Sequence, residues 1–120
     1  MSEPMPDPQS FLPLSPAMLH ILLSLGDGDR HGYGIMRAVQ EHTQGRVRLG
    51  AGALYDSIKR LLAQGLIVEC AGADASAGGD ERRRYYRLTR LGRQVVGVEV
   101  ERLAQLVEIA RNKNLFPEGT

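Results

Sequence analysis

Between Arg82 and Gly92 the chain reads Arg-Arg-Arg-Tyr-Tyr-Arg-Leu-Thr-Arg-Leu-Gly, five arginines around two tyrosines with no acidic residue. This segment constrains the fold at both ends. Upstream lies an apolar extended run, Leu66 to Ala71. A connection with three glycines and four alanines or serines follows, Gly72 to Asp80. Arg82 to Leu88 then reads as the return strand of a hairpin with a flexible tip. Downstream, Thr89 is a helix N-cap. A strand this basic repels itself, so it implies a polyanion to meet.

The rest of the chain reads as helices. Ser15-Pro16 pairs an N-cap serine with a proline at the first helical position. Met18, Leu19, Leu22, Leu23 and Leu25 follow, and Gly26-Asp27-Gly28 ends this first helix. His31-Gly32-Tyr33-Gly34 turns into a second helix carrying Ile35, Met36 and Val39. Arg46-Val47-Arg48-Leu49 alternates polar and apolar, which predicts a short half-buried strand. Gly50-Ala51-Gly52 opens a third helix with an apolar stripe of Leu54, Ile58, Leu61 and Leu62, closed by Gly65. From Thr89 to about Lys113 the pattern is helical without proline. Val96, Val100, Leu103, Val107 and Ala110 recur there at spacings of four, three, four and three, a coiled-coil style seam.

The expected fold is mostly α with a small β-hairpin. It is a winged helix-turn-helix over residues 14–88 with a dimerisation helix over 89–113. The tails are 1–13, either disordered or loosely packed through Phe11 and Leu12, and 114–120. The expected core is Leu19, Leu22, Leu23, Ile35, Val39, Leu54, Ile58, Leu61, Ile67 and Leu88. The final helix is too apolar along its seam to stand in water, and a second copy of the chain is its expected partner.

With 120 residues, 42% hydrophobic and 24% charged, the chain fits one small domain and one extra element. Net charge is only +1, so the reading rests on where charge sits: Arg82 to Arg93 holds six arginines and no acid. The single cysteine, Cys70, excludes an internal disulfide and reads as a half-buried strand residue. The start of the chain lacks the features of a signal peptide, and no apolar run is long enough to span a bilayer. A soluble, cytoplasmic protein is expected. His20, His31 and His42 share no metal-ligand spacing, and His31 is expected to order the turn before the second helix. Glu99 and Glu101 lie on different faces of one helix. No nucleophile triad, phosphate-binding loop or dinucleotide fingerprint is present. Neither enzyme, cofactor nor metal is expected.

The residues instead suit DNA. The start of a helix reaches base edges in the major groove. Gly50 and Gly52 remove bulk there, so backbone N–H groups can approach a phosphate. Lys59 and Arg60 point away from the apolar stripe, towards phosphates or guanine edges, or form a solvated face. Tyr55 either packs or reaches a phosphate. In the hairpin, Leu88 and Tyr86 should face the core, leaving Arg82 and Arg84 to meet the DNA backbone or minor groove; the alternative is a salt-bridged strand with Glu81 or Asp80 as local partners of Arg82. Arg46 and Arg48 are secondary phosphate candidates. A ligand pocket between the first and final helices would be lined by Met18, Leu22, Val96, Val100 and Leu103; the alternative for these residues is ordinary dimer packing.

Three blocks of the sequence carry a family resemblance. They are His31-Gly32-Tyr33-Gly34-Ile35; Gly52-Ala53-Leu54-Tyr55-Asp56-Ser57-Ile58-Lys59-Arg60-Leu61 with Gly65-Leu66-Ile67; and Arg83-Arg84-Tyr85-Tyr86-Arg87-Leu88-Thr89 with Gly92. In this order and spacing the chain resembles the PadR family of transcriptional regulators in its short form. The resemblance implies a homodimeric, mostly repressive transcription factor on a pseudo-palindromic, inverted-repeat operator. It also implies release by a small hydrophobic, aromatic or drug-like effector. Many members carry a tryptophan near the dimer interface that stacks on flat ligands, and this sequence has none. The alternative is a winged-helix module that binds proteins, or DNA without sequence preference, with no effector.

Overall fold

The computed structural model describes residues 6–71 and 84–117. A 3-10 turn, Pro8–Phe11, precedes helix α1, Pro16–Ser24. Then come strand β1, Arg30–His31, and helices α2, Gly32–His42, and α3, Ala51–Ala63. Strands β2, Ile67–Cys70, and β3, Tyr85–Leu88, lead into the long helix α4, Arg90–Asn112. The helix boundaries follow local chemistry. The Ser15 hydroxyl accepts from the Met18 N–H, with Pro16 in the first turn. His31 Nδ1 accepts from the Gly34 N–H, as expected of the residue that orders this turn. The Thr89 hydroxyl accepts from the Gly92 N–H and donates to the Gly65 carbonyl, so one side chain ties the end of α3 to the start of α4.

The sheet is three-stranded and antiparallel in the order β1-β3-β2. Ile67 pairs with Leu88 and Cys70 with Tyr85, while Arg30 pairs with Tyr86 on the other edge of β3. This corrects the sequence reading of Arg46–Leu49. Those residues keep an alternation of exposed and half-buried side chains, yet form no strand. The edge of β3 left free by β2 is taken by Arg30 and His31, just before α2. The expected core is otherwise present, with two corrections. Leu19 is half-buried, and Leu23 is 43% exposed. Helix α1 is apolar around most of its girth. It presents Met18, Ile21, Leu22 and Leu25 to Ile35, Val39, Leu54, Leu61 and Leu66 and leaves Leu23 outside.

Helix α4 buries Leu91, Gly92, Val95 and Glu99, in its first half, against its own domain. Gly92 lets the helix press against the strand entry. A Cβ there would land on the Leu66 carbonyl oxygen. Glu99 is 1% exposed. Its Oε2 accepts from the Leu14 N–H at 2.9 Å and its Oε1 from Arg102 Nε at 2.6 Å. Within the described residues 6–13, the contacts before α1 are packed ones. Phe11 and Leu12 lie against the core and the 3-10 turn rests on α4.

Candidate nucleic-acid interface

Helix α3 buries Leu54, Ile58 and Leu61 and turns the intervening residues outward. Gly52, Tyr55, Lys59 and Arg60 are all exposed, Tyr55 at 52%. Gly50 caps the helix without a side-chain bond, and a Cβ added at Gly50 or Gly52 would touch nothing. The fold itself therefore has no use for glycine at either position. The space they leave open is on the outside, at the end of a helix where N–H groups face solvent. Arg60 reaches Asp56 at 3.7 Å, but both side chains are about two-thirds exposed, so the pair is weak and exchangeable.

Tyr55 has a foothold. A Cβ on the buried Gly32 would fall 2.5 Å from its hydroxyl oxygen. Its ring thus packs on the first turn of α2, the packing role the sequence allowed, while half of it stays in solvent.

The base of the hairpin lies beside this helix. Tyr86 is buried at 5% exposure on the core face of β3, as its alternation with Leu88 implied. Burial pushes its phenol above the ordinary range, with Glu69 raising it further and Arg84 opposing this. Arg84 is exposed and lies 3.6 Å from Glu69 across the strand pair. Arg82 and the hairpin tip fall outside the described residues. Arg46 and Arg48 are exposed in the connection that leads into α3.

Residues 21–97 match the model of the Transcriptional regulator PadR-like family. The chain belongs to that family. It is similar to "Uncharacterized protein X" of Lysinibacillus sphaericus, 32% identical over 99 residues that cover 82% of this chain and 85% of that one. Among solved structures it is similar to a transcriptional regulator from Clostridium thermocellum. That likeness has 28% identity and a TM-score of 0.66, and covers 81% of this chain and 87% of the other. It shares its fold with Bacillus subtilis PadR in complex with operator DNA. Here identity is 23% and the TM-score 0.62, over 73% of this chain and 48% of that one. The PadR-like family is one of transcription regulators, not of enzymes.

Arg87 of the basic segment is exposed but already paired within the chain. Arg87 makes a two-pronged pair with Asp29 in the α1–β1 connection, at 3.1 and 2.8 Å. That guanidinium holds the Asp29 carboxyl below the usual carboxylate range. Burial, then Asp29, pushes the neighbouring Cys70 thiol up, so this half-buried cysteine is a poor nucleophile. The pair was missed because Asp29 is 58 residues from Arg87 in sequence. The five residues expected around a ligand are also divided. Met18 and Leu22 belong to the core, because the inward side of α1 packs on α2 and α3, whereas Val100 is 44% exposed. Val96 and Leu103 are half-buried. Among the described residues no group of three or more His, Cys, Asp or Glu could hold a metal ion. No helix there is long and apolar enough to cross a membrane.

Proposed function

We propose that the protein is a sequence-specific DNA-binding repressor that acts as a homodimer, with α3 in the major groove and the wing on the adjacent backbone. One observation carries this reading. The exposed start of α3 offers two glycines that its own fold does not require, beside Tyr55, Lys59 and Arg60. Arg84 extends the cationic surface from the neighbouring strand, and Arg46, Arg48 and Arg82 supply further phosphate contacts. The Bacillus subtilis relative, which shares the fold, is bound to operator DNA.

The dimer rests on the shape of α4. At 100° per residue, Val96, Val100, Leu103, Val107 and Ala110 fall within roughly 40° of one line. Leu91, Val95 and Glu99, which meet the chain's own domain, lie about a quarter turn away. On this line Val100 is 44% and Val107 38% exposed, and Leu106 and Ile109, further round towards the side of Val95, are 50% and 51% exposed, which favours a second copy as cover. A small hydrophobic or aromatic effector would act at the border of Val96, Val100 and Leu103, with Met18 and Leu22 behind them.

Selecting bound sequences from a random duplex pool and footprinting the winner tests this reading. An inverted repeat is expected. Lys59→Ala or Arg60→Ala should relax its preference at particular bases, by about 1–3 kcal/mol for a base-reading contact. Arg84→Ala should weaken all sequences alike. Unchanged affinity in the triple alanine variant would remove α3 and the wing as the DNA surface.

A further inference from the structure

A second hollow lies outside the residues named so far. A trough of about 500 Å³ runs along the outer face of α2 and is closed by the α2–α3 connection. Tyr33, Arg37, Gln40, Glu41, Gln44 and Arg48 line it. Positions 33, 37 and 40 share one face of α2, and Gln44 stands in the turn that follows it. The opposite face carries the buried Ile35, Ala38 and Val39. We infer that this trough is a seat for the DNA backbone, in which Arg37 and Arg48 together grip phosphodiester oxygens beside the strand that α3 reads. The inference rests on the DNA-binding reading above and adds Arg37, Tyr33, Gln40 and Gln44 to it.

Three observations carry it. First, both arginines line the one trough. Arg48 comes from the connection but folds back over the end of α2, its Nη2 3.8 Å from where a Gly45 Cβ would stand. Gly45 has a φ of +77° and Gln44 of +51°, so the left-handed turn after α2 brings Arg48 to the trough. Second, the charge suits an anion. The lining holds two arginines and one acid. Arg48 makes no ion pair among the described residues, and Arg37 has only Glu41 at 3.7 Å, both side chains about two-thirds exposed. Such a pair is worth little and yields readily to a phosphate, which binds a guanidinium through two parallel bonds. Third, the remaining lining is made of donors that suit phosphate oxygens: the amides of Gln40 and Gln44 and the Tyr33 hydroxyl. The Tyr33 ring is 60% exposed and stacks on His31, the cap of α2. A neighbouring helix that crosses the backbone beside a recognition helix is the geometry such a trough fits.

The test uses the full-length protein and a mixed-sequence duplex of about two helical turns, followed by fluorescence anisotropy across a salt series. Arg37→Gln and Arg48→Gln should each lower the slope of log affinity against log salt by about one unit per bound subunit, roughly two for the dimer. Glu41→Gln should do the opposite to affinity, raising it several-fold, because it removes the competing carboxylate. All three positions are exposed, and unchanged melting curves would show that the fold is intact. If neither arginine variant changes the slope while Lys59→Ala weakens binding, the trough is no phosphate seat and the DNA reading stands. If the unaltered protein shows no salt-dependent binding, both ideas fall together.

Discussion

At the scale of single residues, two glycines separate what the fold needs from what the partner needs. Gly92 touches the backbone of Leu66, and backbone cannot step aside as a side chain can. Gly92→Ala is therefore expected to cost about 3 kcal/mol or more of stability, read as a large fall in melting temperature. Gly52 has open space around it within the first turn of α3. Gly52→Ala removes a helix-weakening residue and is expected to stabilise the fold by up to about 1 kcal/mol. On the reading proposed here the same methyl group stands where α3 approaches DNA, so affinity should drop as stability rises. A variant that melts higher and binds as well as the unaltered protein would show that no surface comes close to Gly52. Gly32 belongs between these cases, since a Cβ there meets only the mobile end of Tyr55. Gly32→Ala should displace that ring at little cost in stability.

At the scale of elements, the helices were legible because their signals are local. Ser15-Pro16, His31 and Thr89 stand at their starts and are bonded as caps. Strand β1 was not legible, since two residues are too few for any period and the pairing of Arg30 with Tyr86 spans nearly half the chain. Alternation over Arg46–Leu49 reported which side chains face inward, not whether a strand edge lay within reach. The exposed candidates on α3 were legible as the complement of its apolar stripe, whereas the Arg37–Arg48 trough needed the turn at Gln44 and Gly45 to be seen. Glu99 had a signal that went unused, as it stands four residues after Val95 and eight after Leu91 on the face that α4 buries. Its carboxylate joins the chain before α1 to α4. The Arg102 bond holds its pKa below the ordinary carboxylate range, and the Leu14 N–H adds to this against the opposing effect of burial. A group whose folded pKa is depressed stabilises fully above its unfolded pKa of about 4.3 and ceases to do so as pH falls through the lower folded value. Glu99→Gln presents an amide N–H₂ to one of two donors and should cost about 1–3 kcal/mol near neutral pH. The gap in melting temperature between the two proteins should close as pH drops from about 4.3 downward. A gap that stays constant over that range would mean that the charge of Glu99 contributes nothing.

At the scale of the whole molecule, α4 has two tasks on two faces. One face fastens it to the winged domain through Leu91, Val95 and Glu99, and the other leaves apolar side chains in water. If that second face meets a copy of itself, a two-fold axis fixes the distance between two α3 helices. A duplex rewards one such distance, about 34–36 Å or a multiple of it, because only then do both helices enter the major groove on the same side. Pairing then matters for specificity more than for the fold of either half. Leu103→Glu places a charge on the seam at a half-buried position, remote from the core cluster. It is expected to give monomers in sedimentation and to leave the winged domain folded. The monomer should lose its preference for an inverted repeat over a single half-site. Its salt slope should fall to roughly half, since half the phosphates are neutralised. A variant that stays dimeric would move the interface off this seam. A monomer that still prefers the inverted repeat would show that the two halves are coupled by the DNA and not by α4.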